Sequence, residues 1–143
     1  MAKGFESTKA VNLIAGESLS GDIYEVLAVE NDAGVGKVVK ATATNQAIVG
    51  VLAESVDATT GADGETVPVV LLQGVVWMKA GGNITAGDLL IVDTGAPGRV
   101  VSGGANVGAL AADVFSPGIA LESAVDGDIF PVLAQPMTSA TET

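Results

Sequence analysis

Val49-Gly50-Val51-Leu52-Ala53-Glu54-Ser55 and Pro117-Gly118-Ile119-Ala120-Leu121-Glu122-Ser123 are one phrase written twice, an apolar run entered through a glycine and closed by Glu-Ser. Three more blocks recur around it in the same order. Gly21-Asp22-Ile23 pairs with Gly87-Asp88-Leu89, and Gly36-Lys37-Val38-Val39 with Gly98-Arg99-Val100-Val101. Gly64-Glu65-Thr66-Val67-Pro68-Val69 pairs with Gly127-Asp128-Ile129-Phe130-Pro131-Val132. Spacing changes only between blocks, in stretches rich in Gly, Ala, Thr and Asn, as happens when strands stay fixed and loops absorb insertions. The duplication, over 21–71 and 87–133, predicts two similar β-rich halves.

Composition agrees with that reading. A chain of 143 residues suits one domain with one respectable core. Hydrophobic residues make up 48% but aromatics only 3%, so the core must be built from Val, Ile, Leu and Ala, which favour close-packed strands. The 19 glycines imply many tight turns and bulges. The expected fold is all-β, a small β-barrel or β-tulip-like domain. Its strands fall at 10–15, 22–29, 36–41, 48–54, 66–72, 75–79, 88–92, 99–102, 118–122 and 129–134. The insert at 103–116 is Ala-rich enough over 105–114 for one or two helical turns. Residues 1–9 read as an extended arm, 10–135 as the β domain and 136–143 as a flexible tail.

The charge balance excludes some partners. Six basic and 17 acidic residues give a net charge of −11, and no Lys or Arg follows Arg99. Nucleic-acid binding needs the opposite sign, because its affinity comes from neutralising phosphates. An anionic membrane surface is disfavoured for the same reason. The longest apolar stretch, 67–78, is broken by Pro68, Gln73 and Gly74 and is too short for a membrane-spanning helix. No apolar leader follows Met1-Ala2-Lys3-Gly4, so a soluble protein made in a cytoplasm is expected.

Chemistry has little to work with. The chain has no Cys and no His, which removes disulfides, thiolate metal sites and the usual near-neutral base. Neither a Gly-x-Ser-x-Gly elbow nor a phosphate-binding Gly-x4-Gly-Lys-Ser/Thr loop is present. Glu54-Ser55 and Glu122-Ser123 recur at equivalent strand ends, which argues for a local hydrogen-bonding task. Asp57, Asp63 and Glu65 are the best oxygen cluster for calcium, but their spacing fits no known calcium loop and reads as an acidic, solvated turn. The expectation is no enzyme, no cofactor and no metal.

Two apolar runs are continuous rather than alternating, Pro68-Val69-Val70-Leu71-Leu72 and Val75-Val76-Trp77-Met78. Continuity implies burial on both faces, whereas a small barrel buries only its inward one. A second subunit is the expected cover, with Val75, Trp77 and Met78 at the interface. The arm, with Lys3, Phe5 and Lys9, is expected to dock on a partner and order on contact.

Thr85-Ala86-Gly87-Asp88-Leu89-Leu90-Ile91-Val92, the Gly-Arg-Val-Val strand, Pro-Gly-Ile-Ala-Leu-Glu-Ser and the closing Gly-Asp-Ile-Phe-Pro-Val-Leu together resemble the small capsid decoration, or cement, proteins of tailed bacteriophages. The likeness extends over roughly 10–134. It implies a homotrimer on the outer surface of the virion, at threefold and quasi-threefold points, that clamps neighbouring copies of the major capsid protein. It also implies that an N-terminal arm carrying Lys3, Phe5 and Lys9 reaches the capsid lattice. The alternative is a virion or cell-surface adhesion module for glycans, with loop 58–64 and Trp77 as its contacts.

Overall fold

Each of the ten runs read as strands overlaps a strand in the computed structural model, which describes residues 10–139, although β2 starts at residue 26 rather than 22 and β9 covers 115–120 rather than 118–122. The first five are β1 (Ala10–Ile14), β2 (Val26–Asp32), β3 (Val35–Lys40), β4 (Ile48–Leu52) and β5 (Thr66–Leu71). The second five are β6 (Val75–Lys79), β7 (Leu89–Val92), β8 (Val100–Gly104), β9 (Phe115–Ala120) and β10 (Ile129–Thr138). They form two antiparallel sheets, ordered β1-β5-β4-β2-β3 and β6-β10-β9-β7-β8. Adding five to each number of the first order gives the second, so the written repeat is a repeat of connectivity. It starts upstream of the repeated words, since β1 and β6 belong to it.

The expected barrel is instead two open sheets. Each curls until its outer strands touch once, through a parallel bridge at Ala15–Val38 in unit one and Ala80–Val100 in unit two. Gly16 N–H donates to Val38 O and Gly81 N–H to Val100 O, both at 2.8 Å. Gly81 is thus the counterpart of Gly16. The helix expected at 105–114 reduces to one 3-10 turn, Val107–Ala109. Pro136, Met137 and Thr138, expected in the tail, close β10, where Met137 pairs with Ser116 and Thr138 with Phe115. Pro can close β10 because an edge or bulged position needs no donor from it, and the register shifts between Ala134 and Met137.

One block of the written repeat is out of register. Tyr24 N–H donates to Leu52 O and Gly87 N–H to Ala120 O, so Tyr24-Glu25 corresponds to Gly87-Asp88, three residues on from Gly21-Asp22. Both positions are left-handed, with φ of 72° at Tyr24 and 94° at Gly87. A bulky residue is unusual there. Tyr24 is partly buried against the core shared by the two units, which offsets the backbone cost.

Two aliphatic clusters fill the molecule. One lies within unit one and includes Leu27, Val38, Leu52, Val67 and Val69. The other fills unit two with Met78, Leu90, Val100, Phe130 and Val132 and continues onto Val26, Ala28, Ile48 and Val51 of unit one. Register equates Leu52 with Ala120 and Val69 with Val132, because Leu52 faces Val69 and Ala120 faces Val132. It likewise equates Val67 with Phe130. Unit one therefore pairs a large Leu52 with a small Val67, and unit two a small Ala120 with a large Phe130. Such exchanges hold total core volume. Ala120→Leu should cost about 1–3 kcal/mol by overpacking. Adding Phe130→Val, which rebuilds the unit-one pair, should recover a large part of that loss. Chemical denaturation of the double-mutant cycle measures the coupling; additive losses would refute the exchange.

Candidate interaction surface

The strands β6, β10 and β9 set side chains of one parity on an outward face. Register places Val75 opposite Leu133, Trp77 opposite Pro131 and Lys79 opposite Ile129. Leu133 is in turn opposite Ile119, and Leu121 N–H donates to Pro131 O at 3.0 Å. Val75, Trp77, Leu121, Ile129 and Leu133 are each between 38% and 47% exposed. A run of large apolar side chains on one sheet face makes it a candidate interaction surface.

Of the sequence's interface candidates, Val75 and Trp77 lie on this face, and Met78 does not. Val75-Val76-Trp77-Met78 alternates, with Val76 and Met78 turned into the core. Met78 is fully buried beneath the sheet, so its side chain is unavailable for contact. The sequence reading missed Leu121, Ile129 and Leu133. They belong to the face through cross-strand register, which no single strand reveals. Lys3, Phe5 and Lys9 lie outside the described residues.

The matching face of unit one is covered differently. Val51 is buried in the shared cluster, and Val70 and Leu72 pack partly against it. Unit two has thus become the cover for unit one. Main chain joins them: Val26 N–H donates to Gly98 O (2.8 Å), Gly98 N–H to Ala41 O (3.0 Å) and Phe115 N–H to Thr44 O (2.8 Å).

Electrostatics add little to the apolar face. All four basic residues among the described ones carry a carboxylate partner: Lys37 with Asp32, Lys40 with Glu25, Lys79 with Asp22 and Arg99 with Asp126. Ser55 Oγ accepts the Ile23 N–H and Ser123 Oγ the Ala86 N–H, the same bond in each unit and the local task expected of Glu-Ser. Glu54 and Glu122 are exposed. Asp57 Oδ1 accepts from Thr59 N–H and Thr60 N–H, so it is committed to its own turn. Among the described residues no group of three or more His, Cys, Asp or Glu forms a metal site. Thr60 of loop 58–64 lines a cavity that Trp77 does not.

Lys79 also ties the two units, its Nζ donating to Asp22 Oδ2 at 2.7 Å. That hydrogen bond, with the charge of Lys79 behind it, holds the Asp22 carboxyl below its ordinary value. The pair therefore stabilises the fold above the ordinary carboxylate range and loses that contribution as pH falls through the lowered value. Asp22 is well exposed, so the effect is small. Asp22→Asn should cost about 0.2–1 kcal/mol near neutral pH. Denaturation curves of the two proteins should converge once the pH has fallen well below the ordinary carboxylate range. A gap that persists in acid would mean that the ion pair is not its source.

Comparison with known proteins gives a fold. No family model matches the chain, and no curated protein does. Among solved structures, the N-terminal base of the head fibre protein gp8.5 of bacteriophage phi29 is similar, with a TM-score of 0.62 and 19% identity. The match covers 94% of this chain and 99% of that one. The chain therefore shares the architecture of that fibre base over the matched length.

Proposed function

We propose that this chain is a structural protein of a tailed-bacteriophage head, bound to the outer surface of the major capsid protein as a homotrimer that cements the lattice. The observation that carries the reading is the fold shared over nearly the whole of both chains with a head fibre base. The repeated strand blocks that resemble decoration proteins point the same way. The open apolar face supports self-association: Val75, Trp77 and Leu133 are uncovered in one copy. Non-closing head-to-tail contacts would make fibres, whereas a threefold rotation closes them. Three docked copies then multiply modest capsid contacts by avidity. Lys3, Phe5 and Lys9 are proposed to make those contacts, the two lysines as cations of the arm on an otherwise acidic protein.

The solved structure favours a second reading, a base that fixes a further fibre to the head without strengthening it. Heat resistance of filled heads separates the two. A cement raises the temperature at which heads release DNA, and a fibre base leaves it unchanged.

Native mass measurement should give a trimer. Trp77→Glu with Leu133→Glu should shift it to monomer while circular dichroism stays that of a folded β protein. A wild-type monomer at micromolar concentration would overturn the trimer. Removal of residues 1–9 should weaken co-sedimentation with heads by about tenfold or more, corresponding to the loss of a few charge-assisted contacts. Unchanged binding would show that the arm is not the grip.

A further inference from the structure

The chain has two Asp-Gly pairs, Asp63-Gly64 and Asp126-Gly127, and the repeat sets them at the same place in its two units. Each pair forms the middle of a tight turn, leading into β5 in unit one and β10 in unit two. Glu65 N–H donates to Ala62 O at 2.8 Å, and Asp128 N–H to Val125 O at 2.9 Å. Both glycines are left-handed, with φ of 93° and 90°, as the third position of such a turn favours. Each also anchors the strand before it: Gly64 N–H donates to Ala15 O at 2.9 Å and Gly127 N–H to Ala80 O at 2.8 Å. Nothing lies within 4 Å of the place where either glycine would carry a Cβ. The repeat thus supplies its own control, one turn written twice.

An aspartate before glycine can be attacked by the next main-chain nitrogen, because glycine has no Cβ to obstruct the approach. The glycine nitrogen bonds to the aspartate Cγ, and one carboxyl oxygen leaves as water with the amide proton. The succinimide so formed takes up water at either of its carbonyls. Opening at one returns aspartate. Opening at the other gives isoaspartate, whose main chain runs through Cγ and is longer by one methylene. The water lost is the water regained, so no further reactant is needed. The first step requires the carboxyl group to swing onto the nitrogen, and whatever holds the carboxyl opposes it.

The two turns differ in that hold. In unit two, Arg99 Nη1 donates to Asp126 Oδ1 at 3.0 Å. A second clasp closes the same turn, where Asp128 Oδ2 accepts the Val125 N–H at 3.1 Å. In unit one, the counterpart of Arg99 is Lys37, which gives its short contact of 2.7 Å to Asp32 and stays 4.0 Å from Asp63 Oδ1. Glu65, standing where unit two has Asp128, makes no such clasp among the described residues. Access does not separate the turns, since the Asp63 and Asp126 side chains are 64% and 70% exposed. Neither does the bond on the glycine N–H, which both units make.

We infer that Asp63 is a site of spontaneous isoaspartate formation, and that its counterpart Asp126 is protected by Arg99. The added methylene falls just before Thr66, which pairs with Ile14 of β1. Ala15 N–H donates to Glu65 O at 2.8 Å, so both bonds that close the β1–β5 end flank the modified residue. Conversion therefore loosens that end of unit one and leaves the matching end of unit two intact. The site stands independently of the head-surface reading.

Ageing the folded full chain at neutral pH and digesting it with trypsin tests the inference. Cleavage after Lys and Arg leaves one Asp-Gly pair in the peptide 41–79 and the other in 100–143. Isoaspartate, located by mass-spectrometric fragmentation, should accumulate several-fold faster at Asp63, the ratio expected when an exposed ion pair must open at Asp126. In denaturant the two pairs should convert at similar rates. Arg99→Gln should raise conversion at Asp126 towards that at Asp63 and leave Asp63 unchanged. Equal conversion in the folded chain, or faster conversion at Asp126, would overturn the inference. So would an Asp126 rate that Arg99→Gln does not move, or a ratio that persists in denaturant and so belongs to the flanking residues.

Discussion

Two main-chain hydrogen bonds through Gly98 hold one five-stranded unit against the other, and much of the molecule's asymmetry follows from them. Gly98 accepts from Val26 and donates to Ala41 with φ at 85°, a conformation that side chains rarely adopt. A Cβ there would press on Glu25 at 3.0–3.1 Å. The β7–β8 turn therefore enters unit one only because residue 98 is glycine. Its counterpart Gly36 lies in β3 opposite Asn31, within unit one. From an identical frame, one turn became a joint and the other stayed at the surface.

The joint has two consequences at opposite sites. On unit one it seals the outward side of β2 and β4, so Val26, Ala28 and Val51 enter a core shared with unit two. It also closes over the Glu25 carboxylate and makes an otherwise ordinary turn acid into a buried one. On unit two nothing within the chain repeats the covering, which leaves Leu133, the counterpart of the partly covered Val70, open beside Val75 and Trp77. A duplicated unit that covers its neighbour always leaves its last copy uncovered. Leu133 belongs to that remainder, and the buried Glu25 is a product of the cover.

Much of this was legible in the sequence. Strand positions followed from apolar runs and Gly-rich punctuation, and the repeated blocks anticipated two halves with like connectivity. The block at Gly21-Asp22 misled because letters matched where geometry did not. The left-handed position in unit one is filled by Tyr24, whose ring packing offsets the strain, so no glycine marks it. Met78 misled in another way. A continuous apolar run does not say which side chains face inward, and only pairing with Phe130 settles that. The joint itself was invisible, since Gly98 reads as one more turn glycine until its partners Val26 and Ala41 are known.

Charge limits how such a body can meet copies of itself. The chain carries −11, and every cation among the described residues already serves a carboxylate of its own chain. Copies approaching through the β6–β10–β9 face therefore repel at long range and attract only once apolar side chains touch. The repulsion decays over about 10 Å at moderate salt and about 3 Å at high salt. Burial of apolar area does not weaken with that screening. Association through this face should strengthen as sodium chloride rises, the opposite of an assembly held by ion pairs. Sedimentation across a salt series reads the sign directly, and dissociation at high salt would assign the contact to charge and remove Trp77 and Leu133 from its centre.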